Sequence, residues 1–183
     1  MENMNQRLDK LKQTIQDQDF LKGNGLSNEV NIRMFCYEAK DEMTIRYFIE
    51  HLQDTQLQCN PTIINIYQVF LKLCENSRML DKLPNLEKSK GHEFLQEHFE
   101  TRYDGGKYAE EIMKEFPEDG DVLILTGIGE AFPFMRVHVL LNALQDYTEK
   151  PIVAMYPGVF DGHYVKLFNL LNPNPYYRAF NEI

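Results

Sequence analysis

Two short loops hold the residue types from which a site could be built. The first follows the apolar run Val122–Leu125 and contains Thr126, Gly127, Gly129, Glu130, Phe132, Pro133 and Arg136. The second follows Ile152–Met155 and contains Tyr156, Pro157, Gly158, Asp161 and Gly162. Gly127, Gly129 and Gly158 let the backbone turn where a side chain would clash or force an unfavourable φ. Proline at 133 is tolerated near a helix start, where its missing N–H is not needed. Arg136 falls in the first turn of a helix expected over residues 134–147, a poor place for a cation against the helix dipole. It therefore calls for a compensating carboxylate, and Glu130 and Asp161 are the candidates. An internal ion pair that fastens the two loops is favoured over a substrate contact. On that reading, Arg136→Ala lowers stability by more than about 1 kcal/mol, since breaking a buried pair costs about 3–5 kcal/mol.

The familiar catalytic arrangements do not fit. Gly127-Ile128-Gly129 is half of GxGxxG, but position 132 is Phe. Methyltransferases of Rossmann type place an acid two positions before the glycines, where this chain has Leu125. Their permuted relatives carry an NPPY-like motif, and Asn174-Pro175-Tyr176 is one proline short. No GxxxxGK[ST] is present, and the loop after the first strand, EAKDEM, carries acids where a phosphate needs amides and Lys. No GxSxG elbow exists among Ser27, Ser77 and Ser89. His92 and His98 do not share a helix face, and His51 and His138 lie within helical pattern. Asp161-Gly162-His163 reads as a turn in which Asp bonds its own backbone. Cys36, Cys59 and Cys74 form no CxxC or Cys/His ligand pair, so they read as reduced, mostly buried thiols. Neither a metal nor another cofactor is expected.

The elements that must position the loops alternate. Met4, Leu8, Leu11 and Ile15 make an N-terminal amphipathic helix. VNIRMFCY (30–37) reads as a strand that becomes buried on both sides. A helix over 41–58 presents Ile45, Phe48, Ile49 and Leu52, with Asp41 and Glu42 set favourably against its dipole. A second strand spans 62–67, and helical pattern runs from Val69 to Asn76. Residues 85–99 are polar and helix-favouring, and Tyr108, Ile112 and Phe116 share one stripe. Strands at 122–126 and 152–156 flank the helix at 134–147, which is a parallel βαβ unit. Residues 165–171 fit either strand or helix. After Asn172-Pro173-Asn174-Pro175, YYRAF (176–180) reads as a closing strand. The expectation is a single Rossmann-like α/β domain, with a mostly parallel sheet flanked by helices. In such sheets partners and ligands meet the loops at the carboxyl ends of the strands.

At 183 residues the chain is long enough for one domain that buries roughly 70% of its unfolded surface. Its apolar runs are too short to span a bilayer, which takes about 20 residues. The N-terminus lacks the basic start and apolar core of a secretory signal, so a cytoplasmic protein without membrane attachment is expected. Net charge is -9. Glu100, Asp104, Glu110, Glu111, Glu115, Glu118, Asp119, Asp121 and Glu130 outnumber Arg102, Lys107 and Lys114 in one stretch. That balance disfavours direct DNA binding, which depends on neutralising phosphates. The stretch is either a solvated surface or a docking face for a basic partner.

TGIGEAFPFMRVHVLLNALQ, YPGVFDG, KLFNLL and the closing YYRAF together resemble the BrxB family of the bacterial BREX phage-resistance system. The matched positions are Thr126, Gly127, Gly129, Glu130, Phe132, Pro133, Arg136, Tyr156, Pro157, Gly158, Asp161, Gly162, Tyr177, Arg178 and Phe180. The amphipathic first helix and the strands near 32 and 67 extend the resemblance over essentially the whole chain. It implies a cytoplasmic component acting beside a PglZ-like phosphatase-fold protein, a BrxC-like AAA+ ATPase and a PglX-like methyltransferase. The family assigns no catalytic residues. With the residue-level reading this favours a non-catalytic adaptor. The alternative is a sensor or enzyme that binds a small ligand or nucleotide at the carboxyl-end loops.

Overall fold

The computed structural model describes residues 2–24, 31–160, 165–171 and 180–182. The first helix, α1 (Met4–Thr14), opens on a reciprocal cap in which Asn3 and Gln6 satisfy each other's backbone N–H. Its stripe buries Leu8, Leu11 and Ile15. A short α2 (Gln18–Lys22) is capped by Asp17. β1 (Ile32–Tyr37) leads through a 3₁₀ turn at 39–41 into α3 (Glu42–Leu52). β2 (Pro61–Asn65) is shorter than its apolar run. The Asn65 side chain accepts from the N–H groups of Tyr67 and Gln68, so it ends the strand and starts α4 (Ile66–Asn76) at once.

The polar stretch that follows forms α5 (Leu83–Lys90) and α6 (His92–Arg102), and α7 (Gly105–Glu115) carries the Tyr108 stripe. β3 (Val122–Thr126) comes next. The helix expected over 134–147 is present, shortened, as α9 (Val137–Leu144), and an additional short α8 (Ile128–Ala131) precedes it across a cis Phe132–Pro133 peptide. β4 (Ile152–Phe160) is longer than expected. Of the ambiguous stretch, Val165–Leu167 is β5, paired antiparallel with the end of β4. β6 (Phe180–Glu182) pairs parallel with β1, while 176–179 lie outside the described residues.

The sheet order is β2-β3-β4-β1-β6, parallel throughout, with β5 attached to β4. Successive side chains of a strand point to opposite faces. Val122 and Ile124 of β3 therefore join Phe35 and Tyr37 of β1 and Val153 and Met155 of β4 under α1, α2 and α3. Leu123, Leu125, Ile32, Met34, Ile152 and Ala154 face α4, α6, α7, α8 and α9. A strand with both faces covered reads as an unbroken apolar run, which is why VLIL carries no alternation. No helix among the described residues is long and apolar enough to cross a membrane. Cys36 and Cys74 are buried, Cys59 is half-buried, and none of the three is in a disulfide.

Chain direction across the sheet decides where a site can open. β1 leads to α3 on one face, whereas β3 leads to α8 and α9 on the other. β4 lies between β1 and β3. The loops after β1 and β3 therefore part over the carboxyl end of β4, as at the ligand-binding crevice of open α/β sheets.

Candidate functional site

At this crevice the predicted loops meet residues from the first strand and helix. Thr126 ends β3, and Gly127 follows with φ +70°, a left-handed conformation that disfavours any Cβ. That turn aims α8 so that Glu130 faces α3. The Arg46 guanidinium donates to Glu130 Oε1 at 2.6 Å and to Glu42 Oε1 at 2.8 Å. Tyr37 donates to Glu42 Oε2 at 2.6 Å, and Asn65 Nδ2 donates to Glu130 Oε2 at 3.3 Å. Asn65 Oδ1 is the cap of α4. One arginine thus joins the ends of β1, β2 and β3 through two carboxylates.

The electrostatics follow from that contact set. The Arg46 hydrogen bond holds the Glu130 carboxyl below the usual carboxylate range, against some loss of hydration. The same bond, with the one to Glu42, pushes the Arg46 guanidinium further up. Burial, reinforced by Glu42, pushes the Tyr37 phenol well above its ordinary value. Within the cluster these contacts favour the ionised Glu130 carboxylate, the charged Arg46 guanidinium and the neutral Tyr37 phenol. Each of these side chains bonds another member of the cluster.

Two hollows flank the Arg46 bridge. One, of about 200 Å³, is lined by Ile45, Ile49, Thr126 and Met155 beside the cluster. The other, of about 220 Å³, is lined by Ala39, Gly129, Pro157 and Phe168. Small-molecule pockets ordinarily measure about 300–1,000 Å³. A larger hollow of about 400 Å³ opens beside α2, with Asp17, Asp19, Phe20, Asn31 and Arg33 in its wall. Its carboxylates already serve as the α2 cap and as an acceptor for Asn24.

The predicted residues are divided by the fold. Thr126, Gly127, Gly129, Glu130 and Pro157 line the crevice. Gly129 is packed against Phe168 and Pro157. Tyr156 is buried in the core and Gly158 pairs with Leu167, so both support the crevice from below. Phe132 and Pro133 are half-buried between α8 and α9. Asp161, Gly162, Tyr177 and Arg178 lie outside the described residues.

Of the two carboxylates expected to hold Arg136, Glu130 is engaged elsewhere and Asp161 lies outside the described residues. The helix begins only at Val137, so Arg136 is its exposed N-cap residue with an extended backbone. Glu130 is turned toward α3 and held there by Arg46 and Asn65. Arg136→Ala should therefore change unfolding free energy by no more than about 0.5 kcal/mol, as for most exposed positions. Urea denaturation would read this, and a loss above about 1 kcal/mol would point to a pair beyond the exposed range.

Tyr37, Glu42, Arg46, Asn65 and Phe168 escaped the sequence reading. Glu42 and Arg46 are four apart on one helix, a spacing that signals an ion pair. The other three carried no local signal.

The profile of the family described as BREX protein BrxB matches residues 62–182, which include the β3 and β4 loops. The BREX protein BrxB of Bacillus cereus (strain H3081.97) is 30% identical over 191 aligned positions, covering 100% of this chain and 99% of the relative. The chain belongs to the BrxB family. It is thereby a BREX-system protein, and the fold above is that of a BrxB-family member. The BREX protein BrxB of Escherichia coli O9:H4 (strain HS) is likewise 30% identical, over 97% of this chain and 90% of its own length. No solved structure matches the chain.

Proposed function

We propose that this BrxB-family protein is a non-catalytic adaptor of a BREX anti-phage complex, acting in the cytoplasm. The observation that carries the reading is the self-satisfied crevice. Where an open α/β sheet ordinarily receives a ligand, Arg46 ties Glu42 to Glu130, and the flanking spaces hold about 200 and 220 Å³. A domain whose switch point is closed on itself is suited to present its surface rather than to turn over a substrate. The partners expected for it are other BREX proteins: a PglZ-like phosphatase-fold protein, a BrxC-like AAA+ ATPase and a PglX-like methyltransferase. The net charge of -9 weighs against a nucleic-acid partner.

The test is a thermal-shift panel with ATP, GTP, S-adenosylmethionine and divalent metals. A ligand at 100 times its Kd adds about 2.7 kcal/mol of stability. For a domain of this size that is roughly 5–11 °C in Tm, at about 2–4 °C per kcal/mol. No shift with any of them is the expected result. A shift of several degrees would replace the adaptor reading by a ligand sensor or enzyme.

A further inference from the structure

The outward face of α3 carries a stripe that the described fold leaves open. Residues 43, 47, 50, 51 and 54 recur at helical spacing, opposite the buried Ile45, Ile49 and Leu52. Met43 is 73% exposed and Tyr47 is 65% exposed. The Tyr47 ring rests against His51 with centroids 4.1 Å apart, and His51 Nδ1 bonds the Tyr47 carbonyl at 2.8 Å. A tyrosine already held by stacking has little rotamer freedom to lose on docking, which suits an interface anchor. Farther along, Glu50 and Asp54 are exposed and enter no ion pair among the described residues. Glu50 lies in the last turn of α3 and Asp54 in the turn just beyond it, where the dipole disfavours negative charge. Arg46, the helix's own cation, is engaged by Glu42 and Glu130. The face is therefore apolar at one end and carries uncompensated negative charge at the other.

Resting on the adaptor reading, we propose that this α3 face docks a basic amphipathic helix of another BREX protein. Met43 and Tyr47 meet its apolar stripe, and Glu50 and Asp54 meet its Lys or Arg residues. A second copy of the chain is a poor occupant, because the same face of a copy offers no free cation to Glu50 and Asp54 and both molecules carry a net charge of -9. A cationic partner instead relieves the dipole conflict and is steered in by the same charges.

The experiment uses the full chain, a Met43→Ser/Tyr47→Ala variant and a Glu50→Lys/Asp54→Lys variant. Each other BREX protein, expressed singly, is titrated against them by biolayer interferometry at low and high salt. One of those proteins should bind the parent chain, more weakly as salt rises. Both variants should lose about tenfold or more in affinity, the scale of an anchor residue, with melting temperatures not lowered. The charge-reversed variant should also lose the salt dependence. A photo-cross-linker at position 47 should capture a Lys/Arg-rich helical segment. Parental affinity in both variants, or capture of an acidic or non-helical segment, overturns the α3 face and leaves the adaptor reading standing. Self-association that Tyr47→Ala abolishes would assign the face to a second copy and overturn the proposal. Failure of every BREX protein to bind the parent chain defeats the adaptor reading and the proposal together.

Discussion

Glu111→Lys should destabilise the protein by about 3 kcal/mol, the lower end of the cost of disrupting a buried ion pair. The Glu111 side chain is only 4% exposed, on the face of α7 that meets α4. Its oxygens lie 3.0 Å from Lys72 Nζ and 2.7 Å from Lys114 Nζ. Lysine there would set a third ammonium between two others. The penalty stays near the lower figure because Lys72 and Lys114 are 42% and 65% exposed, so water shares their charge. At about 2–4 °C per kcal/mol for a domain of this size, Tm should fall by roughly 6–12 °C. Glu110→Lys, one residue away and exposed, should stay within about 0.5 kcal/mol. Equal effects from the two would refute the distinction. The acids of this stretch are therefore not equivalent, since Glu111 is buried between two lysines while Glu110 faces solvent. Glu115 too is bound to Lys72, at 2.8 Å.

The same contact sets a pH dependence. Hydrogen bonds from Lys114 and then Lys72 hold the Glu111 carboxyl below its usual range. A depressed carboxyl contributes stability above its unfolded pKa, about 4.3, and loses it as pH falls through the folded value. Acid unfolding should thus become shallower below about pH 4.3 in Glu111→Gln.

Gly127→Ala should cost about 2–3 kcal/mol, read by urea denaturation, by combining two independent penalties. The first is conformational, because φ is +70° and a left-handed non-glycine residue costs roughly 1–2 kcal/mol. The second is steric. A Cβ built at Gly127 would overlap the whole Asn65 side-chain amide. That amide cannot simply swing aside, since its oxygen caps α4 and its nitrogen holds Glu130. Losing such a cap costs about 0.5–2 kcal/mol. A double-mutant cycle separates the two penalties. With Asn65→Ala already made, adding Gly127→Ala should cost only the backbone strain, so the pair should be less than additive. Full additivity would show that the two residues do not meet.

The expected architecture was legible because it rests on local pattern. Runs such as VLIL and IVAM, bounded by turns, mark strands covered on both faces, and the stripe Leu8, Leu11, Ile15 marks α1. The sheet of β1, β2, β3 and β4 follows from those runs and the βαβ rule. Boundaries were less legible. Ile66 and Tyr67 are as apolar as Ile63 and Ile64, yet they are helical, because Asn65 caps the helix that follows.

The sequence alone determined the fold class, the family motifs and the placement of the Gly127 loop at the carboxyl end of β3, whereas Gly158, read as a loop glycine, lies within β4 and pairs with Leu167. Only the tertiary structure decided which charges meet there. Arg46 and Glu130 are 84 residues apart, and neither helix periodicity nor charge count links them. Arg136 is nearer to Glu130 in sequence, yet Glu130 is bound by Arg46 and Asn65 instead. The physical reason is range. Burial and turn preferences act through neighbours along the chain, whereas a charge pair forms only within a few ångströms. Which long side chains come that close is set by how the elements pack.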